Sequence, residues 1–217
     1  MQTEKVLAFL RQHPDFLAEH AEELGVRLRD DKVRSFAQGQ IASSRLKTEK
    51  MAQRVEEMLD AAHSNHATMQ RLLAFDLRLL KANTVGQAAK AVSASLKDDF
   101  GLPHFALKLI CAPKNKARLP EGLLLPAGHA AVQEWLALKQ PLCGHQISPA
   151  ARKLLPQDVI LESFLQLPLH FGGETGGVLL LGHEDAAHFA PGLPTEYVER
   201  LAGALAAVLA RMTGWSS

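Results

Sequence analysis

The feature that most constrains this chain is the run Ser163–Gly182, two apolar segments joined by Gly172-Gly173. Leu165, Leu167 and Leu169 fall on one face of the first segment, and Phe164, Gln166, Pro168 and His170 fall on the other. Period-two spacing with a glycine turn predicts an antiparallel hairpin. Both faces are largely apolar, so the sheet must be covered on both sides. One cover is expected from residues 60–97 and 195–212, the other from the smaller elements between residues 112 and 160. Loops and short helices over a sheet are where a small-molecule pocket forms.

Around the hairpin the sequence predicts mostly helix. Residues 4–12 read as a short amphipathic helix. Asp15 can cap a second, Phe16 to about Leu24, which Gly25 ends. From Asp31 to Ala82 there is no proline and one glycine, Gly39, so a long helix is expected. A heptad places Ile41, Thr48, Val55, Ala62 and Met69 at one seam position, and Ser44, Met51, Met58, Asn65 and Leu72 at the other. Leu59, Leu73 and Leu80 add a second stripe. A partner helix is therefore expected along the first half and the chain's own globular domain along the second.

Thr84 is a plausible cap for a helix of small residues, Val85–Lys97. A strand is expected at His104–Cys111 and a short one at Gly122–Pro126. Helices are expected at Ala130–Leu138 and after Ser148-Pro149. The last helix runs from Thr195 to about Met212, with Val198, Leu201, Leu205, Val208 and Leu209 at helical spacing. The implied domains are an N-terminal helical segment (1–30), a long dimerisation helix (31–82) and a globular domain (83–217).

The charge balance, 24 basic and 23 acidic side chains, gives no basic excess for a nucleic-acid backbone. The run Lys114–Arg118 reads as a solvated loop. Two cysteines, Cys111 and Cys143, make no disulfide framework and suit a reducing, cytoplasmic setting. No signal peptide is read at the N-terminus, and the longest apolar stretch, Leu201–Ala210, is too short to span a bilayer.

The order of elements, with Leu167-Pro-Leu, Gly176-Gly-Val-Leu-Leu-Leu-Gly182, Phe189 and Leu201-Ala-Gly-Ala-Leu, resembles a GAF domain. The whole chain resembles the bacterial family called domain of unknown function 484. The carrying segments are Val6–Leu17, the long helix, Gln140–Gly144, Leu181-Gly-His-Glu-Asp and His188-Phe-Ala-Pro. The resemblance implies an α+β fold, a GAF-like antiparallel sheet with helices on both faces, often dimeric, with no activity attached. The chain lacks the Asn-Lys-x-Phe-Asp-Glu run of cyclic-nucleotide-binding members. In bilin-binding members a histidine commonly follows the pigment-bearing cysteine, whereas here Gly144 separates Cys143 from His145.

Catalytic chemistry finds little support. His183-Glu-Asp-Ala-Ala-His188 would need its second histidine at position 187 to bind zinc as a helical pair, and Ala187 stands there. Gly172–Gly177 lacks the Lys-Ser/Thr ending of a phosphate loop. His63 and His66, three apart, read as a polar patch in the seam rather than metal ligands.

The expectation is a non-catalytic, small-molecule-binding or regulatory module. It acts as a homodimer through Ile41, Thr48, Met51, Val55, Met58, Ala62 and Met69, with no nucleic-acid or membrane partner. A ligand of unknown identity would border Trp135, Cys143, His145, Gln166 and His170. The alternatives are a ligand-free scaffold that grips a protein partner with its N-terminal helices, and a thiol enzyme using Cys143.

Overall fold

In the computed structural model, residues 3–25 and 30–215 are described. The chain forms two compact units, residues 1–65 and 66–217. The expected junction at residues 30 and 31 adjoins residues 26–29, which lie outside the described residues.

The first unit is helical. α1 (Thr3–Gln12) and α2 (Phe16–Glu19) are separated at Pro14, and Phe9 meets Phe16 edge-on at 5.1 Å. Asp15 occupies the cap position of α2, but its side chain makes no capping bond. The helix ends at Glu19, short of the expected Leu24, and gives way to turns up to Gly25. The long helix α3 spans Asp30–Lys81.

The second unit carries the sheet. Its four strands are β1 (Phe105–Leu109), β2 (Leu142–Gly144), β3 (Ser163–Phe171) and β4 (Glu174–His183). They lie in the order β1-β4-β3-β2, all antiparallel. The hairpin turn is made by Gly172 and Gly173 at φ 62° and 88°, a region open to glycine at little cost. Gly177 fulfils a different need. A Cβ there would stand 2.8 Å from the Lys108 carbonyl oxygen, so only glycine lets β1 approach.

The hairpin faces divide as the alternation requires. Leu165, Leu167, Leu169, Leu179 and Leu181 join a core with the end of α3, α4 (Val85–Ala94) and α7 (Glu196–Thr213). Phe164, Val178 and Leu180 join a second core with α5 (Ala130–Ala137) and α6 (Pro149–Arg152). The architecture is therefore α+β, an antiparallel sheet with helices on both faces.

The buried stripe on α3 differs from the expected one. Leu72, Phe75 and Leu79 enter the core, whereas Leu59, Leu73 and Leu80 are exposed. Residues adjacent in a helix are about 100° apart. Leu72/Leu73 and Leu79/Leu80 thus offer two apolar stripes, and tertiary packing selects one. Leu72 leaves the seam for the core. Residues 122–126 form no strand; a single bridge joins Leu124 to Leu109.

Two helices of the unit, α4 and α6, are pinned by caps. Thr84 Oγ1 accepts from the Gln87 amide at 3.2 Å, and Ser148 Oγ from the Ala151 amide at 3.3 Å. After α4 the chain widens into a π-helical turn, Ser95–Asp99, in which the Phe100 amide donates to the Ser95 carbonyl. There Arg78 of α3 forks onto the Asp99 carboxylate and donates to Ser95 Oγ at 2.8 Å.

The basic run at 114–118 closes the far end of α7. The Lys114 amide donates to the Thr213 carbonyl at 2.8 Å, Asn115 Nδ2 to that of Met212 at 2.9 Å, and the Lys114 ammonium lies 3.7 Å from the Trp215 ring centre. Cationic and donor groups at a helix C-terminus satisfy its last carbonyls.

Candidate functional site

The five residues expected to border a ligand are distributed over two faces and one edge of the sheet. Trp135 and Gln166 meet. Trp135 is fully buried on α5, and its indole Nε1 donates to Gln166 Oε1 at 2.7 Å. That bond satisfies both groups in the core beneath the short helices. The indole belongs to that core, in one cluster with Leu155, Leu161 and Phe164.

Cys143 lies on β2 opposite Leu165, so its side chain packs toward the α3/α4/α7 core. Burial raises its thiol pKa above the ordinary value, and burial together with the Glu174 carboxylate raises that of Cys111. Both shifts reduce the thiolate fraction on which thiol chemistry depends. His145 is exposed and lies 3.4 Å from the Glu162 carbonyl.

His170 stands apart, at the bulge in β3 after Leu169. Its Nε2 donates to the Lys139 carbonyl at 3.2 Å, and Thr175 Oγ1 donates to the Leu138 carbonyl at 2.8 Å. These bonds hold residues 138–141 beside the stretch of β3 that β2 leaves uncovered, because β2 pairs only with residues 164–166.

The result is a groove of about 450 Å³. Lys139 and Glu199 give it charge of both signs, His170 lines it with them, Leu167 and Pro168 give it an apolar floor, and Ala202, Gly203 and Ala206 of α7 form a flat wall. Small residues there leave the room. Lys139, Glu199 and the α7 wall escaped sequence reasoning. The signal present in the sequence was the small-residue run Ala202-Gly-Ala-Leu-Ala-Ala207.

Among the described residues no group of three metal-ligating side chains gathers, and no helix is long and apolar enough to cross a membrane. His183 and His188 instead stack face to face at 3.8 Å, with Phe189 edge-on to His188.

On the long helix, Ile41, Met51, Val55 and Met58 are exposed, and Met69 is at the margin of exposure. Thr48 Oγ1 donates back to the Ser44 carbonyl at 3.0 Å, and Ala62 faces solvent. Ile41 and Thr48 also line an open groove of about 780 Å³ with Arg11 and Pro14, where Gln40 Nε2 donates to the Arg11 carbonyl at 3.2 Å.

A family model described as "Protein of unknown function, DUF484" matches residues 1–216. The chain belongs to the DUF484 family. No curated protein matches it. Among solved structures, this DUF484 chain is similar to the GAF domain of an Acinetobacter phosphoenolpyruvate-protein phosphotransferase. The two are 14% identical with a TM-score of 0.50, over 66% of this chain and 92% of that one.

The corresponding GAF domain from Coxiella burnetii is 22% identical, with a TM-score of 0.48, over 69% of this chain and 97% of that one. The GAF domain of a putative sensor histidine kinase from Pseudomonas syringae pv. tomato is 17% identical, with a TM-score of 0.47, over 70% and 92%. The match at a TM-score of 0.50 gives the DUF484 chain a GAF-like fold.

Proposed function

We propose that this DUF484 protein is a non-catalytic regulatory module of the cytoplasm that binds a small molecule and acts as a homodimer through α3. The observation carrying the reading is the helix itself. Ile41, Met51, Val55 and Met58 expose large apolar side chains at heptad spacing. Apolar area of that kind is covered in the working state of a protein. The C-terminal turns of the same helix supply Leu72, Phe75 and Leu79 to the domain core. A ligand that favours one packing of those turns would favour one arrangement of the helix pair, to the extent that its affinity differs between them.

Of the residues proposed to border the ligand, His170 lies beside an open groove, with Lys139 and Glu199 as its charged company. Trp135, Gln166 and Cys143 shape the sheet that carries the groove, and His145 lies on its surface.

Native mass spectrometry on the full chain tests the reading. A dimer carrying an additional small mass supports it. Replacing Val55 and Met58 with glutamate should give monomer; an unchanged dimer mass would contradict the seam. A second reading, a ligand-free scaffold, is favoured by the Trp135 indole filling the core beneath the short helices. It requires a bare dimer and a protein partner lost on deleting residues 1–30. The thiol-enzyme reading is opposed by the raised thiol pKa of Cys143. It would be revived only by a redox activity that Cys143→Ser abolishes.

A further inference from the structure

A smaller cavity, of about 140 Å³, lies on the other face of the sheet from Trp135, and the surface it presents is wholly apolar. Its floor is Leu165, Leu167, Leu179 and Leu181, two cross-strand pairs of the hairpin. Thr68 and Leu72 of α3 close one side, and Val198 and Leu201 of α7 another.

We infer that this cavity is a binding site for one small uncharged apolar molecule, of about benzene to toluene size. Three observations fix the chemistry. The volume matches cavities of roughly 150 Å³ that take benzene or xenon. Thr68 and Tyr197 are the hydroxyl-bearing residues of the lining, but neither presents polar surface to the cavity, so water finds none of the two to four hydrogen-bond partners it needs and an apolar guest displaces no bound solvent. An ionised guest would stand unpaired among leucines, which the loss of its hydration forbids. Val198 is half-buried, so α7 forms a wall near the surface through which a guest can pass by small side-chain motions.

Position gives the site its interest. A guest there touches α3 and α7 at once and would brace one against the other, slowing amide exchange at Thr68 and Leu72. As a sensing site it rests on the regulatory reading above; as a binding site it stands on its own walls.

The test uses the full chain with labelled leucine and valine methyl groups, toluene as probe and benzoate as the charged control of similar shape. Toluene should produce saturable shifts at Leu165, Leu167, Leu179, Leu181 and Leu201, and benzoate none. Val198→Phe, which projects a ring into the cavity, should weaken toluene binding at least tenfold. Val198→Met fills from the same wall if the phenylalanine variant does not fold. Absent shifts, shifts confined to other methyl groups, or equal binding by the filled variants would overturn the site. A native small molecule that stays on the dimer in Val198→Phe would overturn the sensing role of this cavity and leave the regulatory reading standing. Toluene binding at these methyls in a chain that is monomeric would do the reverse.

Discussion

The two faces of the sheet are built from the same two strands, one residue out of phase, and they close differently. On one, Phe164, Val178 and Leu180 meet short elements centred on Trp135, and the indole fills the space and satisfies Gln166. On the other, Leu165, Leu167, Leu179 and Leu181 meet the long helices α3 and α7, and a gap of about 140 Å³ remains. Short helices and loops can settle around one large side chain. Long helices are near-rigid cylinders over a twisted sheet, so only side-chain length can fill what their axes leave open. Tight closure and a receptive cavity thus follow from the lengths of the covering elements, with equally apolar strands beneath both.

The largest predicted effect lies on the filled face. Trp135→Ala should cost about 3–5 kcal/mol in urea unfolding, because it opens a cavity and leaves Gln166 without its donor. A cost below about 1 kcal/mol would mean that this face is not held by the indole.

Enlarging a side chain should then have opposite signs on the two faces. Ala131 is fully buried in the cluster that holds Trp135, so Ala131→Leu should overpack it and destabilise by about 1–3 kcal/mol. Val198→Phe, projecting into the cavity, should be neutral or stabilise by up to about 2 kcal/mol. Equal destabilisation by both, measured by denaturant midpoint, would erase the contrast between the faces.

A cap away from both faces sets the background scale. Thr84→Ala should cost about 1 kcal/mol through loss of the bond from the Gln87 amide.

The smallest effect is on pH dependence. Partial desolvation of an otherwise exposed ring, and then the neighbouring His183, hold the His188 imidazole below its ordinary value of about 6.5. The unfolded chain therefore takes up this proton first. The associated stability is fully present above about pH 6.5 and is lost as pH falls toward the folded value. The melting temperature should drop from pH 7.5 to 5.5, and His188→Asn should flatten that drop. Because Phe189 lies edge-on to His188 and lines the cavity, the toluene affinity of the wild type should fall over the same range.

Much of the frame was legible in the residues. The hairpin followed from alternation and two glycines, the long helix from the missing breakers, and the Thr84 and Ser148 caps from their side chains. What escaped was decided at a distance. Leu72 and Leu73 are equally apolar, and only the docked sheet chooses between them. Asp15 has the right chemistry to cap α2 but sits in a helical conformation, φ −84° and ψ −13°, rather than the extended one a capping side chain uses. The three residues of β2 carry no alternation and are a strand only because β3 pairs with them. The Trp135–Gln166 bond joins residues 31 apart, and Arg78 reaches Asp99 across 21. Neither spacing has a local signature. The groove beside His170 was missed in part because it depends on where β2 stops.

The most direct test of the contrast between the faces is diffraction from crystals of the full chain pressurised with xenon. A xenon peak among Leu165, Leu167, Leu179 and Leu181, with none beside Trp135, is the predicted result. Xenon beside Trp135, or no xenon over the leucine floor, would contradict it.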